Sequence, residues 1–450
     1  MTNSFSDRRG ASTVTTYERI RVMWPDHLGL PRGKYLPASI AERGTGHCVS
    51  TFALGYDRSL IPAPGSYLLE GLIDVHANYD ATSVKPSWED DVTGVAVGHL
   101  ELNGEAYTFA SRYVLQRAVE AWAELGYTVN VGIELEAYLL EPDGDGGWQR
   151  YVNPRAMVYG TGPSNDPHGV INEIMAKSMA CGFRPESINA EFDESQYELT
   201  LEYTDAMTTA DNVFLFRIMA REVALMKGLD LTFLGKPFNE LSGSGIHVNF
   251  SLVDGDGNNA LTDESAEDGL STLARQCIAG LCSHHQGMTA LLAPTVNAYR
   301  RLQPASMTGY WANWGYDHRM VANRVPAARG AGTRIESRVA DGAASIHTSV
   351  AAVLTAARLG VGNGLPCPEP ETGDGMDEVN TDVAAPANLS DALDHLEADT
   401  ELVGALSSDL VANFVAVKRA EWDRFTEAEG SFDVEAGASE WELNEYLPYH

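Results

Sequence analysis

The stretch YTVNVGIELEAYLLE, residues 127–141, alternates apolar and polar side chains in a manner typical of a β-strand. Within it, Glu134 and Glu136 are two residues apart, and on a strand they share one face at a separation of about 7 Å. An isolated pair of this kind is usually a solvated face. Buried like charges are costly unless something compensates them. The pair therefore indicates a functional site only if other segments supply further ligands or compensating charges.

A second acid-bearing segment is NAEFDESQYELTLEY, residues 189–203, which carries Glu191 and Glu198. The two glutamates are seven residues apart, so one straight strand would direct them to opposite faces. A turn at residues 193–195 can bring both to the same side. We therefore predict a turn there and two further carboxylates beside the first pair.

Two later segments add an imidazole and arginines. GSGIHVNFSL, residues 243–252, presents His247 after a glycine-rich approach. RIESRV, residues 334–339, alternates three charged residues on one strand face: Arg334, Glu336 and Arg338. Taken singly, such a histidine is ordinarily structural, and such an alternation is usually a surface ion-pair ladder. Their occurrence together, in this order, is much harder to explain by chance.

Several carboxylates and one imidazole that converge on one cavity need cations. Oxygen-rich ligation suits Mg²⁺ or Mn²⁺, and a single histidine is compatible with Mn²⁺. Arginines on the same strands suit phosphate and carboxylate ligands through their planar guanidinium groups. Metals and arginines around one cavity are what phosphoryl transfer requires, because they neutralise and position the phosphates.

The chain divides into three predicted parts: a disordered tail over residues 1–15, a small β-rich domain over 16–103, and a large domain over 104–450 in which helices alternate with acid-bearing strands. The hydrophobic periodicity predicts helices over 111–126, 169–182, 207–228 and 388–428. The sequence DGDGNN from Asp254 resembles part of a calcium loop but lacks its remaining spacing, which favours a tight turn. Residues 368–385 are predicted to form a surface loop.

Composition limits the possible partners. Asp and Glu number 63 against 31 Lys and Arg, giving a formal net charge of −32. Such a surface repels nucleic acid and anionic membranes. Only six basic residues are lysine, which favours a salt-adapted protein over an acidic mesophilic one. Five cysteines indicate buried thiols in a reducing compartment. The N-terminus has no apolar core and no uncharged apolar run reaches a membrane span, so we expect a cytoplasmic protein.

Read together, these segments resemble the glutamine synthetase family over nearly the whole chain from about residue 17. The strand motifs are similar to the family's G-x-E-x-E, G-Q-x-E, G-S-G-x-H and R-I-E-x-R segments. Further similarity lies in DHLGLPRGKYLP (26–37), SRYVLQRA (111–118), NAYRRLQP (297–304) and the helical segments LSDALDHLEADTEL (389–402) and VKRAEWDRF (417–425).

The resemblance implies an α+β fold. It consists of a small β-grasp-like N-terminal domain and a large catalytic domain with a funnel-shaped antiparallel sheet flanked by helices. It implies active sites between adjacent subunits of stacked rings, usually hexamers paired into dodecamers. The implied chemistry uses ATP and two or three Mg²⁺ or Mn²⁺ ions. Glutamate's side-chain carboxylate is phosphorylated to γ-glutamyl phosphate, which an amine or ammonia then attacks.

The resemblance also implies residue roles. Six ligands would hold the metals: Glu136, Glu191 and Glu198 near the glutamate, and Glu134, His247 and Glu336 at the ATP phosphates. The substrate glutamate would contact Arg301, Arg338, Gly243 and Glu191. The nucleotide would contact Glu186, Asn249, Ser251, Arg324 and Arg334. Catalytic roles are implied for Asp74, Arg319 and Arg338.

The ammonia end of the implied site departs from the family. The segment STFALGYDRS, residues 50–59, lacks the family's aspartate that binds ammonium. The family's second ammonium acid, a flap glutamate, falls near Met307, with Trp311 and Trp314 close in sequence. Losing two carboxylates while gaining apolar side chains favours a bulkier or less polar amine, which could be an alkylamine, an arylamine or a polyamine. We take Met307 and Trp311 as candidates for the amine pocket.

Two alternatives remain. Other residues could supply an ammonium site, which would make the enzyme an ammonia-dependent glutamine synthetase. A catalytically silent scaffold or regulator is the second, but retention of all six metal ligands argues against it, because buried carboxylates without metal only reduce stability. Milder departures lie at Ser242, at Asn249 in place of the second motif histidine, and at 345–347 in place of the family's Asn-Pro-Tyr. They affect the expected nucleotide and glutamate contacts and leave the expected metal ligands intact.

Overall fold

The structure, a computed structural model, describes residues 17–376 and 378–450, so the predicted tail over 1–15 lies outside the described residues. The first part of the described chain forms two four-stranded sheets of strand order β2-β1-β6-β5 and β3-β4-β7-β8. Strand β1 pairs in parallel with β6, and the other neighbours are antiparallel. The elements are β1 Arg19–Pro25, β2 Pro31–Pro37, α1 Ala38–Ala41, β3 Thr45–Cys48, β4 Asp74–Asn78, β5 Lys85–Pro86, β6 Thr93–Val97, β7 His99–Leu102 and β8 Glu105–Ala106.

The remaining strands form one nine-stranded, largely antiparallel sheet. Its order is β11-β12-β9-β14-β17-β16-β15, and β10 and β13 pair with the end of the long strand β9. The strands are β9 Thr128–Pro142, β10 Trp148–Arg150, β11 Pro185–Ala190, β12 Gln196–Asp205, β13 Asp230–Thr232, β14 Ile246–Val253, β15 Trp314–Tyr316, β16 Asn323–Val325 and β17 Ile335–Ser337. The strand predicted over 127–141 is confirmed as β9, the central element with which four other strands pair.

Helices cover one face of this sheet and bury its apolar side chains. Val131, Ile133 and Leu135 alternate along β9 and are fully buried in the main core. Helix α8 packs against α2 and α5 behind them and is buried along most of its length. The helices are α2 Ser111–Glu124, α3 Val170–Ala180, α4 Ala206–Met226, α5 Thr272–Ser283, α6 His285–Leu292, α7 Ala298–Arg301, α8 Ile346–Gly362, α9 Leu389–Ala398, α10 Thr400–Leu406, α11 Ser408–Glu429 and α12 Glu440–Tyr446.

The helices predicted over 111–126, 169–182 and 207–228 are confirmed as α2, α3 and α4. The helical region predicted over 388–428 is also confirmed, and the structure divides it into α9, α10 and α11. At the first break the side chain of Asp399 accepts the N–H of Leu402, and at the second the side chain of Ser407 accepts the N–H of Leu410. Each break therefore supplies the side-chain oxygen that starts the next helix.

The turn predicted at DGDGNN is also confirmed. One carboxylate oxygen of Asp254 accepts the backbone N–H groups of Asp256 and Asn258, at 2.9 Å each. These hydrogen bonds form a tight turn directly after β14. An isolated antiparallel β-bridge between Val253 and Asn259 flanks the turn. The described part of 368–385 contains no helix or strand, as predicted.

Within the described ranges, no single helix is both long and apolar enough to cross a membrane. Only the pair α10 and α11, bent by 115° where they meet, passes such a test of length and composition together.

A buried ion pair attaches the C-terminal helix to the chain beside the large sheet. The guanidinium of Arg300, in α7, donates to Glu442 of α12 at 2.7 Å, and their side chains are only 4 % and 0 % exposed. The arginine also lies over the ring of Phe432 at 4.2 Å. Glu442 completes a capping box with Ser439 at the start of α12. Because Arg301 follows directly in α7, this pair also fixes the position of the next arginine.

Replacing Glu442 with Ala should destabilise the protein strongly. The change leaves the Arg300 guanidinium buried without its counter-charge, which typically costs about 3–5 kcal/mol. Glu440→Ala removes an exposed glutamate from the same first turn and should cost about 0.3–1 kcal/mol. Urea denaturation at fixed protein concentration measures both variants. Equal, small shifts of the two midpoints would show that the buried pair does not hold this helix.

Candidate active site

A cavity of about 1370 Å³ lies on the polar face of the large sheet. The period-2 geometry of β9 creates it, because the residues between the buried apolar ones all point to the other side. Asn130, Gly132, Glu134 and Glu136 line the cavity in this alternation. The two glutamates predicted to share a face therefore do so, and that face is the floor of a large concave space.

Neighbouring strands place further ligands directly opposite these glutamates. In the antiparallel register, Glu198 of β12 pairs with Glu136, and His247 of β14 pairs with Glu134. Directly opposite side chains on one face have their Cβ atoms about 4.5–5.5 Å apart. On the other side of β14, Asn249 pairs with Glu336 of β17. Three strand pairings thus gather acidic and imidazole groups from four strands.

The turn predicted at residues 193–195 is confirmed and brings in Glu191. Strands β11 and β12 form an antiparallel hairpin, and the N–H of Glu191 donates to the carbonyl of Gln196 at 2.8 Å. Ser195 adopts a left-handed backbone conformation with φ of 68° to make the turn. Glu191 and Glu198 consequently line the same cavity.

The ligand atoms converge tightly. One ligand atom each of Glu134, Glu198 and His247 lie within 4.8 Å of one another. His247 Nδ1 shares a 2.8 Å hydrogen bond with Glu134 Oε2 and lies 3.6 Å from Glu336 Oε1, while its Nε2 lies 3.9 Å from Glu136 Oε1. Carboxylate oxygens with one imidazole form a donor set that fits Mg²⁺ or Mn²⁺.

The electrostatics of the cluster show an excess of negative charge. Burial, together with the charges of Glu134 and Glu191, raises the pKa of Glu198 to about 7. Burial and the charge of Glu136 also raise the pKa of Glu191. Burial acts in the same direction on Glu134, but the hydrogen bonds from His247 and Asn249 and the charges of His247 and Arg338 together outweigh it and lower the pKa of Glu134 to about 2. A divalent cation would stabilise the ionised form of every one of these groups.

Arginines line the side of the cavity next to the metal ligands. Arg324 bonds to Glu336 Oε2 at 2.7 Å, and Arg338 bonds to Glu336 Oε1. Arg334 donates to Asn249 Oδ1 at 3.1 Å, and Asn249 donates in turn to Glu134 at 3.0 Å. These contacts leave positively charged groups beside the carboxylate cluster, where they suit phosphate oxygens.

Glycines allow the close approach of Arg301 to the cavity. A Cβ at Gly245 would lie 2.2 Å from Arg301 Nη2, and one at Gly243 would lie 2.6 Å from its Cγ. Arg301 donates to the carbonyls of Val339 at 3.0 Å and Arg338 at 3.3 Å. Among the described residues its Nε finds no hydrogen-bond partner. The glycine-rich segment is therefore needed so that a buried arginine can lie against the backbone that leads to His247.

The structure brings most of the predicted site residues together. Glu336 is not part of the cavity lining, but it lies 3.6 Å from His247 and pairs with Arg324 and Arg338, which do line it. The predicted residues that line the cavity are Glu134, Glu136, Glu186, Glu191, Glu198, Gly243, His247, Asn249, Ser251, Arg301, Met307, Arg319, Arg324, Arg334 and Arg338.

Two further predicted residues, Asp74 and Trp311, also lie outside the cavity lining. Asp74 is exposed on β4 of the N-terminal sheets. Trp311 is half-buried, packs edge-on against Tyr310 at 5.0 Å and bridges to Ala384. Trp314 is buried in the core, where its Nε1 donates to the carbonyl of Pro368 at 2.8 Å. Of the two amine-pocket candidates, only Met307 lines the cavity, because the bridge to Ala384 holds Trp311 elsewhere.

The structure also adds residues that the sequence reasoning missed. Gln196 donates to the carbonyl of Gly243 at 3.0 Å and so links the hairpin to the glycine-rich segment. Lys236 lines the cavity, and burial lowers its pKa. The sequence could have indicated Lys236 as a site residue, because it is one of only six lysines and its segment GKPF shortly precedes the glycine-rich segment. Apolar side chains at the mouth include Tyr159, Phe192, Met320 and Met376.

The carboxylates, imidazole and arginines of this cavity suit an enzyme that binds divalent metal and phosphate groups. A family model described as the glutamine synthetase catalytic domain matches residues 109–444. The chain belongs to the glutamine synthetase family and is an ATP-dependent carbon–nitrogen ligase of that type, in a family that uses divalent metals.

Individual relatives agree with this assignment. A glutamine synthetase of Clostridium saccharobutylicum is 34 % identical over 357 residues, covering 77 % of each chain. A glutamine synthetase of Pyrococcus abyssi is 31 % identical over 444 residues, covering 95 % of this chain and 96 % of the relative. Among solved structures, GmaS in complex with ADP aligns with a TM-score of 0.81 at 28 % identity, covering 96 % of this chain and 97 % of GmaS.

Binding of a divalent metal should release a proton from Glu198. Since the folded-state pKa of Glu198 is raised from 4.5 to about 7, the metal-free protein should lose stability as the pH rises from about 4.5 towards 7. Metal requires the ionised carboxylate, so the apparent dissociation constant for Mn²⁺ should increase about tenfold or more per pH unit below 7. Calorimetry in buffers of different ionisation enthalpy counts the released protons.

The matched variant for this measurement is Glu198→Gln, which keeps the shape and removes the titrating group. It should bind Mn²⁺ more weakly at pH 8 and release about one proton fewer near pH 6. Identical proton release by the wild type and this variant would contradict the assignment of Glu198.

Proposed function

We propose that this enzyme joins the γ-carboxylate of glutamate to an organic amine, through a γ-glutamyl phosphate made from ATP. When bound, Mg²⁺ or Mn²⁺ would neutralise the negative charge of the phosphates. Glu136, Glu191 and Glu198 would hold the metal nearer the glutamate. Glu134, His247 and Glu336 would hold the metal at the ATP phosphates.

The chain's own residues supply the positioning. Arg301 and Arg338 would bind glutamate, with Gly243 giving the substrate room beside Arg301. Arg319, Arg324 and Arg334 would stabilise the transferred phosphoryl group, since guanidinium groups match phosphate geometry. The nucleotide would contact Glu186, Asn249 and Ser251, which line the same cavity. The solved complex of GmaS with ADP, whose fold this chain shares, supports the binding of an adenine nucleotide.

The proposal that the substrate is an organic amine rests on the position of Met307. Its backbone carbonyl accepts a hydrogen bond from Arg338 at 3.3 Å, so it lies next to a proposed glutamate-binding arginine. Its side chain is 54 % exposed and lines the cavity. The resemblance to the family expects a carboxylate at this place. A thioether there favours an apolar amine substituent over a small cation.

Ammonia-dependent glutamine synthesis is the second candidate. The relatives in Clostridium saccharobutylicum and Pyrococcus abyssi are both named glutamine synthetase. The likeness to GmaS does not separate the two activities by itself. The decisive comparison is phosphate release from ATP with glutamate and Mg²⁺ or Mn²⁺, at low and high salt, across ammonium and a panel of alkyl, aryl and polyamines.

Substituting Met307→Glu should shift this preference towards ammonium. A carboxylate beside Arg338 would attract a small cation and would leave an apolar substituent unfavourably placed. We expect the ratio of kcat/KM for ammonium to that for the best amine to increase on the order of tenfold or more. Met307→Leu, which keeps an apolar side chain of similar size, should retain the wild-type ratio. A wild-type enzyme that turns over ammonium far better than every amine would overturn the proposal.

We also propose that the working enzyme is a ring-shaped oligomer, a hexamer or a pair of hexamers, in which Asp74 acts in a neighbouring copy's site. Asp74 is exposed and lies outside this chain's own cavity lining. The cavity mouth exposes large apolar side chains, with Phe192 at 72 % and Tyr159 at 70 %. Exposed apolar groups of this kind mark interaction surfaces.

Hybrid oligomers test the sharing of the site. Asp74→Asn and Glu136→Gln should each be inactive alone. After the two are dissociated, mixed and reassembled, about a quarter of the sites should combine an intact Asp74 with an intact metal cluster, since assembly in a ring is random. Size-exclusion chromatography confirms reassembly. Full activity of Asp74→Asn, or no recovery in a mixture that reassembles, would contradict a shared site.

A further inference from the structure

The glycine-rich segment before β14, residues 241–245, contacts both the metal-ligand cluster and Arg301. Gly243 and Gly245 pack directly against the Arg301 side chain, and a Cβ at either position would collide with it. The N–H of Gly245 also donates to Glu136 Oε2 at 2.7 Å. The position of this short segment therefore affects how Arg301, a proposed glutamate-binding residue, lies relative to the ligand cluster.

A carboxylate outside the ligand cluster holds the start of this segment. Asp193 Oδ2 accepts the backbone N–H of Ser242 at 2.6 Å, across 49 residues of sequence. The hydroxyl of Tyr138, a fully buried residue of β9, lies 3.2 Å from the same oxygen and 3.0 Å from the carbonyl oxygen of Ser242, so it can donate to either. One carboxylate and one phenol thus contact both backbone polar groups of Ser242.

Two further side chains hold the neighbours of Ser242. The ammonium group of Lys236 donates to the carbonyl of Leu241. The amide of Gln196 donates to the carbonyl of Gly243 at 3.0 Å. Three consecutive residues of the segment are therefore each held by a hydrogen-bonding side chain.

The carboxylate of Asp193 is not needed to form the turn in which it lies. Backbone groups close that turn, because the N–H of Gln196 donates to the carbonyl of Asp193 at 3.2 Å and the N–H of Glu191 donates to the carbonyl of Gln196 at 2.8 Å. The side chain instead makes its contact with Ser242. Its removal should therefore leave Glu191 and Glu198 in place.

We propose that Asp193 is a positioning residue for glutamate, which holds the glycine-rich segment where Arg301 and Gly243 can bind the substrate. This inference rests on the proposed function, because it takes Arg301 as a glutamate-binding residue. Asp193 does not itself line the cavity, so it would act through the segment and affect the binding of glutamate more than the transfer of the phosphoryl group. The turn that carries Glu191, a proposed metal ligand, would thus also position the substrate.

Calorimetric titration of glutamate into protein loaded with Mn²⁺ and a non-hydrolysable ATP analogue tests the inference and needs no amine. Asp193→Ala removes both contacts and should weaken glutamate binding at least about tenfold. Asp193→Asn should stay within about threefold of wild type, because both contacts use one oxygen and an amide oxygen can accept them. Tyr138→Phe removes the hydroxyl alone and should weaken glutamate binding by a smaller factor than Asp193→Ala.

Glu194→Ala is the matched control in the same turn. The carboxylate of Glu194 pairs with Arg150 at 3.0 Å, and its removal should leave the glutamate affinity unchanged. Titration of Mn²⁺ alone supplies the second readout, and every variant should bind Mn²⁺ as the wild type does. A general disturbance of the turn would instead weaken Mn²⁺ binding and would affect Glu194→Ala as well.

Steady-state kinetics should show the same selectivity. In Asp193→Ala the KM for glutamate should increase at least about tenfold, while kcat stays within about threefold of wild type. Four results would overturn the inference alone: undiminished glutamate binding by Asp193→Ala, equal weakening in Glu194→Ala, a parallel loss of Mn²⁺ affinity, or no rescue by Asp193→Asn. A wild type that binds Mn²⁺ and nucleotide but no glutamate would overturn the proposed function, and the inference with it.

Discussion

The crowding of carboxylates on one face of the large sheet is the constraint on which the rest of this structure depends. The pairing of β9 with β12 and β14 puts Glu134, Glu136 and Glu198 opposite or beside one another with His247. Burial and the neighbouring carboxylates both disfavour ionisation, and together they raise the pKa of Glu198 to about 7. The ionised form of this face is stable only when cations occupy it. The repulsion between its carboxylates therefore favours the binding of metal.

The surroundings of this face compensate its charge in two ways. Arg324 and Arg338 neutralise Glu336 from one side. Arg301 reaches the site because glycine stands where a side chain would collide with it. The buried pair of Arg300 and Glu442 then holds α7 in place. Positive charge is thus fixed in advance where phosphate and glutamate oxygens would arrive, which is how phosphoryl transfer is accelerated without rearranging the protein.

Much of the site could be predicted from local patterns. The shared face of Glu134 and Glu136 follows from the two-residue period of a strand, and the meeting of Glu191 with Glu198 follows from the turn between them. Resemblance to the family supplied the metal ligands and arginines, nearly all of which line one cavity. These residues are predictable because strand register and short turns decide their positions.

What could not be predicted depends on contacts between distant parts of the chain. Trp311 lies near Met307 in sequence, but its bridge to Ala384 places it outside the cavity. The contact between Asp193 and Ser242 joins segments 49 residues apart, which no local pattern relates to one another. The boundaries at Asp399 and Ser407 within the predicted helical region 388–428 are a different case, since both residues cap the helix that follows them and hydrophobic periodicity alone does not show such boundaries.

The central claim is that the two carboxylate-rich strand pairs serve an ATP-dependent activation of glutamate's γ-carboxylate. Turnover of glutamate labelled with ¹⁸O in that carboxylate, followed by mass spectrometry of the inorganic phosphate, tests this most directly. Because the acyl phosphate loses one carboxylate oxygen to phosphate when the amine attacks, each turnover should place one ¹⁸O atom in phosphate. Phosphate that carries no label while γ-glutamyl product accumulates would contradict the account.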